Sequence, residues 1–236
     1  MRFAPSRLIT MLAATVALLT GAAGCASASA DEPKLLNDLA TRLDRAGDLT
    51  FTAEYRLDGG ARAVIAQAQQ PRRAAYVHPG GKAVFTESQL ATCQSVGTTN
   101  RCTITAPPSP GTDPALDLLT ATARDTSSAS ASPAVPADTG LVAPSRALRL
   151  VTDAVLDGAT VTRYESTIAG ERATCVGVHG AAGFTACITA GGLLGSFTGT
   201  VDGRVVSFEL TSYSDTADAA TFTLPEGAEI DDRRAR

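Results

Sequence analysis

From Leu49 the hydrophobic pattern of this chain settles into a period of two. Leu49, Phe51, Ala53, Tyr55 and Leu57 alternate with Thr50, Thr52, Glu54 and Arg56. Only an extended strand brings such positions to one side, so the run predicts a strand with one buried and one wet face, the habit of antiparallel sheets. Asp58-Gly59-Gly60 then reads as a tight hairpin turn, because glycine reaches positive φ without steric cost. Strand-length pieces recur at 63–69, 73–78, 82–87, 90–95 and 101–105, separated by Pro71 and by Pro79-Gly80-Gly81. Pro107, Pro108 and Pro110 close this first meander of about six strands.

A helix precedes the meander. Leu35, Leu36, Leu39 and Leu43 recur at helical spacing, Pro33 suits a first helical position, and Gly47 suits a stop. After the first meander, Asp113-Pro114 forms an N-cap and N1 pair, with Leu116, Leu118 and Leu119 beginning a further helix. Residues 125–144 are Ser, Ala and Pro with almost no large apolar side chain. Such a stretch buries too little surface to offset its ordering entropy and is expected to be a flexible loop. Helical spacing returns over 145–156, with Leu148, Val151 and Val155 on one face. Strands follow at 161–168, 172–178, 184–189, 196–201, 205–213 and 221–224, with Asp202-Gly203 as another hairpin turn. Helices segregated from runs of strands define an α+β chain with an antiparallel sheet.

Four cysteines bracket turns in the two strand runs. Cys93 and Cys102 flank a segment containing Gly97 and Asn100, and Cys175 and Cys187 flank one containing Gly177, Gly180 and Gly183. Of the three pairings open to four cysteines, the local one, a staple across each hairpin, is expected. A metal site is the rival, but neither pair has knuckle spacing, and His78 and His179 are the only histidines that could assist.

The fifth cysteine has a different context. Arg2 and Arg7 precede an apolar run from Leu8 to Leu19, and Ala22-Ala23-Gly24 leads into Cys25, the layout of a lipoprotein signal peptide over 1–24. Lipid on Cys25 would anchor the chain to the outer face of the cell membrane through a tether spanning 25–32. A competing cut after Ala28-Ser29-Ala30 would discard Cys25 and secrete the protein. Paired cysteines agree with export by either route. The domain proper is expected over 33–230, and 231–236, with Asp231 and Asp232, reads as a solvated charged tail.

Composition excludes several functions. The net charge is −4, and removing the leader's two arginines makes the remainder more acidic, so no electrostatic footprint for nucleic acid exists. Tryptophan is absent and only 5% of residues are aromatic, which argues against a platform of stacked rings. Lys34 and Lys82 are the only lysines in an Arg- and Ala-rich chain, the bias of a high-GC bacterium such as an actinomycete. No Gly-x-Ser-x-Gly elbow or phosphate loop occurs. His78 and His179 adjoin Gly- or Pro-rich turns, where a solvated imidazole is expected. An enzyme, a cofactor and a resident metal are therefore not expected, and the chain is expected to be a monomer.

The C-terminal residues carry a resemblance. Asp202-Gly203 leads into a long strand, then Ser214-Asp215, then Phe222-Thr223-Leu224-Pro225-Glu226-Gly227-Ala228. A closing Phe-x-Leu-Pro-x-Gly-Ala, together with the leading amphipathic helix and the central helices, resembles the LolA/LppX-LprG superfamily of envelope lipoproteins and lipoprotein carriers. The two cysteine hairpins depart from its carrier members. The resemblance implies an unclosed half-barrel of about 10–12 antiparallel strands, covered by two or three helices, with acyl chains or a lipid-modified protein held between sheet and helices. On that reading Phe51, Tyr55, Val64, Tyr76, Val84, Phe197, Phe208 and Leu210 are candidate cavity-lining residues, and the ligand is a lipid or other apolar molecule. The alternative is an adaptor lipoprotein whose core is filled.

Overall fold

The computed structural model describes residues 31–107, 140–180 and 183–234. The leader, Cys25, the helix expected from Asp113 and most of the Ser/Ala/Pro stretch lie outside them. Among the described residues are two α-helices, α1 (Asp31–Ala46) and α2 (Pro144–Leu156), and one sheet of twelve strands. The first run comprises β1 (Phe51–Leu57), β2 (Arg62–Gln69), β3 (Arg72–His78), β4 (Gly81–Thr86), β5 (Gln89–Val96) and β6 (Thr99–Thr105). The second comprises β7 (Thr160–Ile168), β8 (Glu171–His179), β9 (Phe184–Thr189), β10 (Leu194–Val201) and β11 (Arg204–Ser214), and β12 (Glu229–Asp232) closes the chain.

The strand order is β12-β6-β5-β4-β3-β2-β1-β11-β10-β9-β8-β7, so each run is a meander and the two meet where β1 pairs with β11. Every pairing is antiparallel except β12 on β6. At the junction Tyr55 lies opposite Leu210 and Leu57 opposite Phe208, with a bulge between Glu54 and Tyr55. The sheet is open but not flat. Across four strand spacings of about 4.8 Å a flat sheet would hold β7 and β11 roughly 19 Å apart, yet residues of the two approach within 8 Å between Cα atoms.

Alternation in the sequence explains the core. Phe51, Ala53, Tyr55 and Leu57 are buried while Arg56 is exposed. Both helices cover that face: Leu35, Leu39 and Leu43 of α1, and Ala147 and Val151 of α2, share one apolar core with Phe51, Tyr55, Phe197, Phe208 and Leu210. The β9–β10 turn comes so near α1 that a Cβ at Gly192, where φ is +93°, would collide with the carbonyl of Arg42. Gln67 fastens the end of α1, its side-chain amide donating to the carbonyls of Ala46, Gly47 and Leu49 at 2.8–3.1 Å.

The opposite face carries a smaller cluster of Ala66, Ala68, Ala75, Val84 and Phe222, with Ala217 and Leu224 packed against it. The chain between β11 and β12 crosses this face as a strap. Phe222 lies beneath the Arg73 guanidinium, 4.3 Å from its ring centroid, and Lys82 Nζ donates to the Thr223 carbonyl at 2.6 Å.

Four expectations need correction. Residues 221–224 do not form a strand: Ala219–Phe222 is a 3-10 turn, because the strap's role is to lay Phe222 across the sheet rather than to pair along it. The charged tail is structured as far as Asp232, where β12 runs parallel to β6 and Arg101 pairs with Glu229 at 3.1 Å. The flexible loop does not extend to residue 144, since Val142 and Ala143 are buried and α2 begins at Pro144. α1 begins at Asp31, ahead of Pro33. The half-barrel expectation becomes a single large open sheet, antiparallel but for one edge pair, with two helices among the described residues.

Candidate functional site

The eight candidate cavity residues divide by strand parity. Phe51, Tyr55, Tyr76, Phe197, Phe208 and Leu210 face the helices and are each no more than 4% exposed, in one contiguous core. Their rings pack in sequence: Phe184 and Phe197 stack with centroids 5.7 Å apart, Phe197 and Phe208 with 6.2 Å, and Tyr55 meets Phe208 edge-on at 5.8 Å. Burial pushes the Tyr55 phenol far above its ordinary pKa, so it stays protonated. Val84 belongs to the smaller cluster beneath the strap, and Val64 shares the parity of Ala66 and Ala68 on that same face. Val84 therefore packs with the strap, and neither valine faces the space beneath the helices.

None of the eight lines either of two clefts formed by the described residues. The first lies where β1, β3 and β10 end. Leu57, Asp58, Ala61, His78, Pro79, Gly80, Gly140, Val205, Val206 and Ser207 enclose about 420 Å³ there. Turn chemistry builds it: Pro79-Gly80 joins β3 to β4, and Asp202-Gly203, both at positive φ, joins β10 to β11. Arg146 of α2 reaches this second turn, its Nη2 lying 2.9 Å from Asp202 Oδ1.

His78 is the one imidazole in this cleft, and it is buried rather than solvated, at 8% exposure. Its ring stacks on Tyr76 with centroids 5.1 Å apart, and its Nδ1 accepts from the Gly80 amide at 3.2 Å. That bond leaves the neutral ring's proton on Nε2. Burial lowers the pKa, so the imidazole is the neutral form near pH 7. The cost appears as a pH dependence: the unfolded state takes up a proton on His78 before the folded state does. Stability should therefore be full above an ordinary histidine pKa of about 6.5 and fall as the pH drops below it. In thermal melts from pH 7.5 to pH 5, His78→Phe should lose less stability than the wild type; equal losses would show that His78 is not the cause. His179 is exposed, as expected, beside Thr162 Oγ1 at 3.1 Å.

The second cleft lies toward the other end of the strands and is polar. Asp38, Thr41, Arg42, Arg45, Arg163, Glu165, Arg172 and Ala190 enclose about 410 Å³. No local spacing announces it, because its residues come from α1, β7, β8 and the end of β9, far apart in sequence. The His78 cleft was equally hidden, except that glycine- and proline-rich turns flagged its rim.

The cysteines pair locally. Cys93–Cys102 and Cys175–Cys187 join neighbouring strands at register-matched positions, with Cα atoms 4.0 and 3.9 Å apart. All four are at most 4% exposed.

No protein-family model matches the chain, and neither does any curated protein. Among solved structures, the chain is similar to an uncharacterized conserved protein from Thermus thermophilus, with a TM-score of 0.46 and 11% identity over 84% of this chain and 98% of that one. It is also similar to MucB, with a TM-score of 0.46 and 15% identity over 84% of this chain and 65% of that one. MucB in complex with MucA(peri) matches with a TM-score of 0.45 and 15% identity, over 81% of this chain and 60% of that one. The match takes in less than two thirds of either MucB chain.

Proposed function

We propose that the chain is an exported envelope protein of LolA/LppX-LprG type, held at the outer face of the cell membrane by lipid on Cys25, that binds a lipid or similar apolar ligand in the His78 cleft. The observation that carries this reading is the cleft's composition. Leu57, Ala61, Pro79 and Val206 supply apolar walls, and His78 Nε2–H, with no partner among the described residues, supplies one donor. An apolar chain ending in a carbonyl or carboxyl group fits that arrangement, and 420 Å³ falls within the range of small-molecule sites. No catalytic step is assigned to these residues.

A second reading, an adaptor with a filled core, is favoured by the dense packing of Phe51, Tyr55, Tyr76, Phe197, Phe208 and Leu210 with the helices. Native mass spectrometry of protein purified from its host separates the two. Binding predicts a co-purifying lipid mass that Ala61→Trp, which fills the cleft, removes. A clean apo mass with no uptake of a fluorescent fatty acid would leave the adaptor. Anchoring is tested apart from either: Cys25→Ala should release the protein into the medium, and continued membrane retention would refute attachment at that residue.

A further inference from the structure

Four arginines line the polar cleft. Arg42 and Arg45 come from α1, Arg163 from β7 and Arg172 from β8, and the carboxylates lining it with them are Asp38 and Glu165. Both carboxylates are already engaged. Asp38 Oδ2 lies 2.8 Å from Arg42 Nη2, and Glu165 Oε1 lies 3.2 Å from Arg163 Nη2. Thr174, only 1% exposed, links the two pairs: its hydroxyl accepts from Arg42 Nη1 at 3.2 Å and donates to Glu165 Oε1 at 3.1 Å. Two arginines thus belong to a fixed frame. The guanidinium groups of Arg45 and Arg172 have no hydrogen-bond or ion-pair partner among the described residues.

Four arginines against two carboxylates leave two cations uncompensated in one recess of a chain whose net charge is −4. The negative end of α1 offsets part of that excess, since Arg45 sits in its last turn. An anion would offset the rest. Guanidinium forks match phosphate oxygens two bonds at a time, and a pre-positioned fork loses little freedom on binding. Asp38 and Thr174 pre-position Arg42 in that way.

We propose that this cleft binds a phosphate-bearing anion, free or carried on a lipid headgroup, with Arg45 and Arg172 as the principal contacts and Arg42 as the pre-set one. The site is independent of the apolar cleft at the other end of the strands, so either can fail alone.

The test uses the full chain at low salt, where screening is weak. Inorganic phosphate is titrated by calorimetry, and co-sedimentation compares phosphatidylglycerol vesicles with phosphatidylcholine vesicles. The expected result is binding of phosphate, or preference for phosphatidylglycerol, that R45Q/R172Q weakens by roughly tenfold or more. Both positions are exposed, so the variant should melt as the wild type does. Arg56→Gln, which breaks a surface pair with Glu209 outside the cleft, should leave binding unchanged. Phosphate binding marks a free anion as ligand; phosphatidylglycerol preference without phosphate binding marks a headgroup. Failure of both probes, or equal binding by R45Q/R172Q, overturns the proposal. Capture of a polyglutamate peptide while both phosphate probes fail would also overturn it, in favour of an acidic protein partner.

Discussion

Phe197→Ala should destabilise the fold by about 3–5 kcal/mol, the range for deleting a large buried ring whose space the surroundings refill only in part. Phe197 is 0% exposed, and its ring is stacked between those of Phe184 and Phe208. Tyr55 extends the row, so the rings tie β9, β10 and β11 to β1 across the junction of the two meanders. Collapse into the void is opposed on both sides, by the sheet backbone and by helices already packed against the same core. Urea unfolding reads the effect as a fall in the midpoint with little change of slope. A loss under about 1 kcal/mol would mean that the row repacks freely, contrary to a rigidly packed core.

Removing the disulfides should have a comparable effect. The bonds close segments separated by 9 and 12 residues, and the chain-entropy model assigns roughly 2–3 kcal/mol to loops of this size. C93A/C102A and C175A/C187A should each lose about that much, and the two losses should add, because the pairs lie in separate meanders. Together they approach about 5 kcal/mol, the lower end of the whole stability of an ordinary domain. Reduction without mutation should therefore shift the melting transition sharply downward. An unchanged midpoint after complete reduction, verified by thiol titration, would contradict a stabilising role for the two bonds. The C175A/C187A variant carries an added packing cost, since β8 is buried without a break from Ala173 to Val178.

Much of this architecture was legible from local chemistry. Period two in β1, the leucine spacing of α1 and the turn pairs Pro79-Gly80 and Asp202-Gly203 are each decided by neighbouring residues, and the elements form where those residues stand. The cysteine pairing was legible for the same reason, as each bond spans one hairpin. The strap was not. Phe222 and Leu224 have the composition of a strand, and what places them across the sheet is the alanine-lined surface made by β2 and β3. β12 was hidden likewise: acidic residues read as a tail until the edge of β6 supplies backbone partners and Arg101 supplies a charge.

His78 illustrates how a site differs from an element. Its neighbours Pro79 and Gly80 predict a turn, and they are right, but a turn residue is solvated only if nothing packs over it. Tyr76 does so, stacked on the imidazole, while Leu57, Gly140 and Val206 line the cleft beside it. Parity made a similar division among the candidate cavity residues. Val64 and Val84 are as apolar as their neighbours, and only the register of β2 and β4 sends them to the strap's face.

By itself the sequence determined the eleven strands of the two meanders, their turns, the two covering helices and the local disulfides, because each depends on interactions within a dozen residues or so. The tertiary structure alone decided which face each strand presents to the helices, where the C-terminal strap lies and which charges meet. The arginines of the polar cleft lie on α1, β7 and β8, and the sheet's order, not any spacing along the chain, brings them within reach of one another. Electrostatic and packing partners are set by distance in space, and alternation of side chains records only the local half of that information.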